Sequence, residues 1–191
     1  MNSRQAILDA IARNKPQATD LPVLLSFSDD EDLVSKYTQS VTLNGGTAIE
    51  VESLSDIHTY IEENFLDGLQ VVSLIDEIPG SIALSSISDP HELESVELAV
   101  VKGEFGAVEN AAIWVSDKNL THRVLPFIAQ HLIIVLEKTN LVPNMHEAYR
   151  KINVSETGYG VFIAGPSKTA DIEQSLVIGA HGARSLTVFL I

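Results

Sequence analysis

Residues 132–136 of this chain read Leu-Ile-Ile-Val-Leu, apolar at every position rather than at every second one. A strand with one wet face alternates apolar and polar residues, so a continuous apolar run asks for cover on both sides, as in a parallel sheet held between layers. The run is also far too short for a membrane span, which needs about 20 apolar residues. Leu69 to Ile75 has the same doubly buried character. Further strands are read at Thr47–Val51, Glu97–Lys102, Ala111–Val115, Tyr159–Ala164 and Ser185–Ile191.

Helical patterns alternate with these runs. One runs from Ser3, as N-cap, to about Arg13, with Ala6, Ile7, Ala10 and Ile11 on one face. A second begins near Ser28-Asp29-Asp30, whose carboxylates suit a helix N-terminus, and stops before Asn44-Gly45-Gly46. Ser55-Asp56 opens a third, with Ile57, Tyr60 and Ile61 on one face, closing near Gly68. Pro143 to about Ile152 and Asp171 to Val177 also read as helices. Gly103 to Asn110 is turn-prone, a loop or a bulged hairpin, and Asn14 to Ser28, with Pro16 and Pro22, reads as an extended linker. Strands alternating with helices predict an α/β fold on a mainly parallel sheet. We expect a single domain over residues 1–191, of which 1–28 form the N-terminal helix and linker.

Charge narrows the function classes. Twelve Lys and Arg stand against 26 Asp and Glu, a formal net charge of −14. Proteins that bind nucleic acid neutralise phosphates with clustered cations, so nucleic acid is excluded as a partner. An anionic membrane surface is excluded for the same reason. The absence of cysteine removes disulfides, thiolate metal sites and cysteine nucleophiles. With no apolar leader segment visible, the expected location is the cytoplasm. Residues 150–191 carry four basic and three acidic side chains, whereas the first 149 residues carry eight and 23. The C-terminal stretch is thus the part of this acidic chain where a small anion is electrostatically reasonable.

Three segments there and nearby carry chemistry. Gly165-Pro166-Ser167-Lys168-Thr169-Ala170-Asp171 follows a strand and precedes the last predicted helix. Ligands in open α/β sheets sit off the carboxyl ends of strands, and helix N-termini present free N–H groups to anions. Gly165 permits close backbone approach, Ser167 and Thr169 offer hydroxyls, and Lys168 offers the cation. Plain helix capping by Ser167 or Thr169 is the alternative. In Gly179-Ala180-His181-Gly182, His181 is a candidate general acid/base, or the segment is a capping turn with Gly179 or Gly182 at positive φ. Glu104, Glu109 and Asn110 lie in the turn-prone segment, as a base and a polar ligand contact or as a solvent-facing hairpin. No histidine spacing has metal-site character, no metal is expected, and no cofactor is specified.

Gly165-Pro166-Ser167-x-Thr169-x-Asp171-Ile172-Glu173, with Leu176-Val177-x-Gly179 and His181-Gly182 behind it, resembles the LUD domain family, that of lactate utilization protein C (LutC or YkgG-like). The N-terminal Arg4-x-x-Ile7-Leu8-x-Ala10-Ile11 agrees with it. The resemblance implies a three-layer α/β/α fold similar to the isomerase and CoA-transferase-like superfamily. It implies a part in oxidising L-lactate to pyruvate beside iron–sulfur partner proteins, with a small anionic metabolite or phosphorylated cofactor bound at strand carboxyl ends. Ser167, Lys168 and Thr169, helped by Gly165, Asn110 and Gly182, are then the ligand-binding candidates, and Glu109 and His181 the catalytic ones. Two departures stand out. The family's Thr-Gly-Thr after its Glu is here Asn110-Ala111-Ala112, and Ala183 replaces the proline after His-Gly. The first favours a second expectation, a non-catalytic accessory subunit that docks on iron–sulfur partners or on its own copies as a homo-oligomer. A sugar-phosphate or CoA-ester isomerase or transferase of the wider superfamily is the third.

Overall fold

The computed structural model describes residues 3–17, 19–20, 32–65, 68–153, 155–170 and 176–191. In chain order the first elements are α1 (Ser3–Arg13), α2 (Leu33–Leu43), β1 (Thr47–Glu50), α3 (Leu54–Asn64), β2 (Val71–Ser73) and β3 (Leu98–Lys102). Then come β4 (Phe105–Ala107), β5 (Ala112–Ser116), α4 (Leu125–Ile128), β6 (His131–Leu136), β7 (Leu141–Val142) and α5 (Met145–Lys151). The last are β8 (Gly160–Ile163), β9 (Lys168–Ala170), β10 (Leu176–Ile178) and β11 (Ser185–Leu190).

The central sheet is parallel, in the order β1-β11-β6-β3-β2. This is the α/β fold on a mainly parallel sheet that the apolar runs imply. Its strands alternate between two cores. Leu132, Ile134 and Leu136 of β6 face one side with Ala99, Val101, Leu186 and Val188. Ile133 and Val135 face the other with Leu98, Val100 and Phe189, under Ile57 of α3. The continuous apolar sequence of β6 is the direct consequence of cover on both faces.

The layer opposite α3 is built differently from a plain helical layer. Besides α2 and α4 it holds a second, mixed sheet in the order β7-β4-β5-β8. The turn-prone stretch after Gly103 becomes a hairpin there, with β4 antiparallel to β5. Val108, Ala111, Ile113 and Val115 of this sheet join the same core as Tyr37 and Val41 of α2. Its outer face carries Phe105, Trp114 and Phe162 under α5. Gly160 lies flat against Trp114: a Cβ there would stand 2.1 Å from the indole.

Two sequence expectations need correction. Residues 176–177 are not helical: Leu176–Ile178 forms β10, antiparallel to β9, with Val177 opposite Thr169. The acidic stretch 171–175 of the expected helix lies outside the described residues, as does its counterpart at Ser28-Asp29-Asp30. Lys168 and Thr169 are themselves strand residues, in β9. Four apolar or β-branched residues in 176–178 and 169 prefer a ribbon. The second correction concerns Leu69 to Ile75, expected to be buried on both faces: its strand is β2, at the edge of the sheet, with Val72 buried and Val71 and Ser73 half-buried. The helix expected from Ser3 to about Arg13 is α1, whose apolar residues Ile7 and Ile11 are exposed. No helix of the described residues is long and apolar enough to cross a membrane.

Among the described residues, the Tyr37 hydroxyl is the one buried side-chain polar atom without a hydrogen-bond partner. Leaving such a group unsatisfied costs about 1–3 kcal/mol. Burial also holds the phenol above its ordinary value. The unfolded chain therefore loses this proton first, and stability drains as pH rises past about 10. Tyr37→Phe is expected to raise stability at neutral pH by about 1 kcal/mol and to remove that share of the alkaline loss. Urea denaturation of both proteins at neutral and alkaline pH tests this; a less stable variant at neutral pH would refute it.

Candidate functional site

The candidate site begins where β8 ends. Gly165 has φ +73°, and a Cβ on it would stand 2.5 Å from the Asn44 carbonyl oxygen. Only glycine turns this corner against the C-cap of α2 without strain. Past the corner Pro166 is buried, and Ser167 bonds to the turn before β11 in both directions. Its N–H donates to the Ala183 carbonyl at 2.8 Å, and its carbonyl accepts from the Gly179 N–H at 3.0 Å. Gly179 takes φ +76°, which lets the Arg184 stem lie across it. Gly182 approaches so closely that a Cβ there would be 3.1 Å from the Ser167 Cβ.

These contacts close one side of a cleft of about 290 Å³. Gly165, Ser167, Lys168, His181 and Gly182 line it together. Lys168 and His181 are exposed at its rim, and Ser167 is half-buried. Among the described residues, the Ser167 hydroxyl and the Gly182 N–H have no hydrogen-bond partner. The Lys168 stem passes Gly45, whose missing Cβ would be 3.9 Å from the lysine Cε. The arrangement offers a cation, a hydroxyl and a backbone donor to one small anion.

The remaining predicted residues lie elsewhere. Thr169 donates its hydroxyl to the Val177 carbonyl at 3.2 Å and so ties the β9–β10 ribbon. Glu109 lines a different cavity, of about 450 Å³, beside Leu33, Lys36, Asn144 and His146. Its carboxylate accepts from the Met145 N–H at 3.1 Å, at the start of α5. Glu109 and His181 are thus not brought into one cavity. Asn110 is occupied by its own turn: its side-chain oxygen accepts from the Ala112 N–H at 3.1 Å, and its carbonyl accepts from the Asn44 side chain at 2.8 Å. Ala111, where the resembled motif has glycine, sits at φ +56°. The turn keeps a left-handed residue although its glycine is gone, at a cost of roughly 1–2 kcal/mol. Glu104 accepts a short hydrogen bond from the buried Ser116 hydroxyl.

The cleft also lies differently from the sequence expectation. Leu132, second in β6, and Ala183, just before β11, line it, so it sits beside the amino ends of the parallel strands. Of the adjoining strands only the antiparallel β8 ends at it. The carboxyl ends hold a separate cavity of about 300 Å³, where Lys102 pairs with Glu137 at 3.2 Å near Asp76 and Glu77. Sequence reading missed three contributors to the cleft. Asn44 touches Gly165 and bonds to Asn110, linking the two motif segments. Phe127 and Phe162 line it with Pro126, Leu132 and Ile163. Asn44 had been legible only as a helix stop, and the two phenylalanines carry no motif at all.

The family model for the LUD domain matches residues 82–191. Lactate utilization protein C of Bacillus pumilus is 35% identical over 95 residues, which cover 47% of this chain and 40% of that protein. Its namesake from Geobacillus thermodenitrificans is 32% identical over 95 residues, with the same coverage. That from Shouchella clausii is 31% identical over 97 residues, 48% of this chain and 42% of the relative. Each match therefore spans about two fifths of the relative's own length. A crystal structure of a DUF162 family protein from Deinococcus radiodurans superposes with a TM-score of 0.62 at 14% identity, over 83% of this chain and 96% of that one. This last likeness is one of fold.

Proposed function

The chain belongs to the LUD domain family, and on that premise we propose that it is a lactate-utilization-type protein that binds a small anionic metabolite between the Ser167-Lys168 corner and the His181-Gly182 turn. The observation that carries this reading is the convergence of the two segments on one cleft, clamped by the paired hydrogen bonds of Ser167. Lys168 neutralises the anion's charge. The Ser167 hydroxyl and the Gly182 N–H orient it. Among the described residues lining the cleft, His181 stands at the rim as the proton-transfer candidate.

Losing a hydrogen bond to a charged group costs about 1.5–3 kcal/mol, or roughly 10- to 100-fold in Kd. Lys168→Ala is therefore expected to weaken binding of lactate, pyruvate or inorganic phosphate by that factor, whichever of them binds. Combined with Ser167→Ala it should abolish ligand-induced thermal stabilisation. Calorimetric titration and melting curves check this. An anion that stabilises the double variant as well as the parent rules the cleft out.

A second reading has its own support in Glu109. Its carboxylate is engaged at the start of α5, away from His181. That favours a non-catalytic accessory subunit docking on iron–sulfur partner proteins. On this reading Glu109→Gln and His181→Ala leave turnover of the assembled system unchanged, and loss of turnover with assembly intact would eliminate it.

A further inference from the structure

The reading above makes the cleft an anion site; its walls say more about the ligand. Beside Ser167, Lys168 and His181, the cleft is lined by Pro126, Phe127, Leu132 and Ile163. We infer that the preferred ligand is an amphipathic monocarboxylate, whose anionic end meets Ser167 and Lys168 and whose aromatic or branched apolar body rests on Phe127, rather than a bare three-carbon acid.

Size is the first argument. The cleft's volume of about 290 Å³ is roughly ten times a water molecule's share of liquid volume, whereas lactate has only six non-hydrogen atoms. A three-carbon acid held at Ser167 and Lys168 would leave the apolar lining against water. Exposure is the second. Phe127 is 40% exposed, although Leu125 and Pro126 on the same short helix are buried. The helix is anchored through its neighbours, and Phe127, which lines the cleft, keeps an uncovered apolar surface. Charge is the third: Lys168 is the one permanently cationic side chain lining the cleft among the described residues. One cation matches one carboxylate better than a multiply charged phosphate ester.

This inference rests on the anion-binding reading, so the experiment separates the two. Lactate and 3-phenyllactate share a carboxylate and a hydroxyl and differ by a phenyl ring. Both are titrated calorimetrically into the full chain and into its Phe127→Ala and Lys168→Ala variants. Phenyllactate is expected to bind about tenfold tighter or better, since a buried phenyl removes a large apolar area from water. Phe127→Ala should erase most of that advantage, while Lys168→Ala should weaken both acids. Equal affinity for the two acids, with lactate still sensitive to Lys168→Ala, overturns the inference and spares the anion site. Phenyllactate binding that ignores Lys168→Ala overturns the anion site and with it the orientation inferred here. Binding of neither acid overturns both.

Discussion

Phe189→Ala is expected to lower the unfolding free energy by about 3–5 kcal/mol, the usual range for deleting a buried phenylalanine. Phe189 has no exposed surface and meets the Tyr60 ring edge-on, with centroids 5.1 Å apart. It belongs to β11, which lies between β1 and β6 and pairs with both. A cavity at this position therefore opens in the middle of the sheet, where neighbours on both sides are held by ladder hydrogen bonds and cannot collapse into it. Domains of this size are stable by only about 5–15 kcal/mol, so the variant should lose about a fifth or more of its margin. Urea denaturation followed by far-ultraviolet circular dichroism measures it. A loss under about 1 kcal/mol would mean that the site relaxes, and that β11 is less central than its pairing indicates. Removing residues 185–191 altogether should prevent folding, since β1 would then lose its only partner in the sheet.

Gly165→Ala should cost about 2–4 kcal/mol, the sum of a left-handed backbone for a residue with a Cβ and of overpacking against a fixed neighbour. The methyl group would stand 2.5 Å from the Asn44 carbonyl oxygen and 3.2 Å from the Asn44 Cβ. Neither can retreat easily, because Asn44 caps α2 and its side chain is held by the Asn110 carbonyl. The strain should be relieved by moving the corner, and with it Ser167 and Lys168. The variant is thus expected to lose anion binding together with stability. A melting curve and a ligand titration on the same protein check both. Unchanged binding in a destabilised variant would show that the corner does not set the cleft. Ala111 already tolerates φ +56° nearby, but it sits in a turn that gains hydrogen bonds from Asn110, whereas Gly165 faces a carbonyl.

The long-range order was legible wherever local pattern and burial agree. Leu132 to Leu136 announced a doubly covered strand, and Thr47, Leu98, Gly160 and Ser185 begin strands within a residue or so of their expected positions. Asn44-Gly45-Gly46 ended α2 because Gly45 adopts φ +80° there. The departure at residues 176–177 has an equally local cause. Ser167-Lys168-Thr169 followed by acidic residues looks like a capped helix start, but Val177 pairs with Thr169 in an antiparallel ribbon, and that tertiary pairing outweighs local propensity there. The second sheet was hidden for another reason. β4 and β7 are three and two residues long, too short to show a period.

By itself the sequence determined the class of fold, the double cover of β6, the acidic surface with its neutral C-terminal stretch, and the two glycine-bearing turns of the LUD-type motif. All of these follow from composition and near-neighbour spacing, which act over a few residues. Only the tertiary structure decided which of the named residues share a cleft. Ser167 meets Ala183 and Gly182 because two loops are clamped by backbone hydrogen bonds, while Glu109 and Asn110 are turned to α5 and Asn44. Phe127 and Phe162 reach the cleft from α4 and β8, across sequence distances over which no local pattern carries information. Adjacency of that kind is set by how the two sheets pack around a common core.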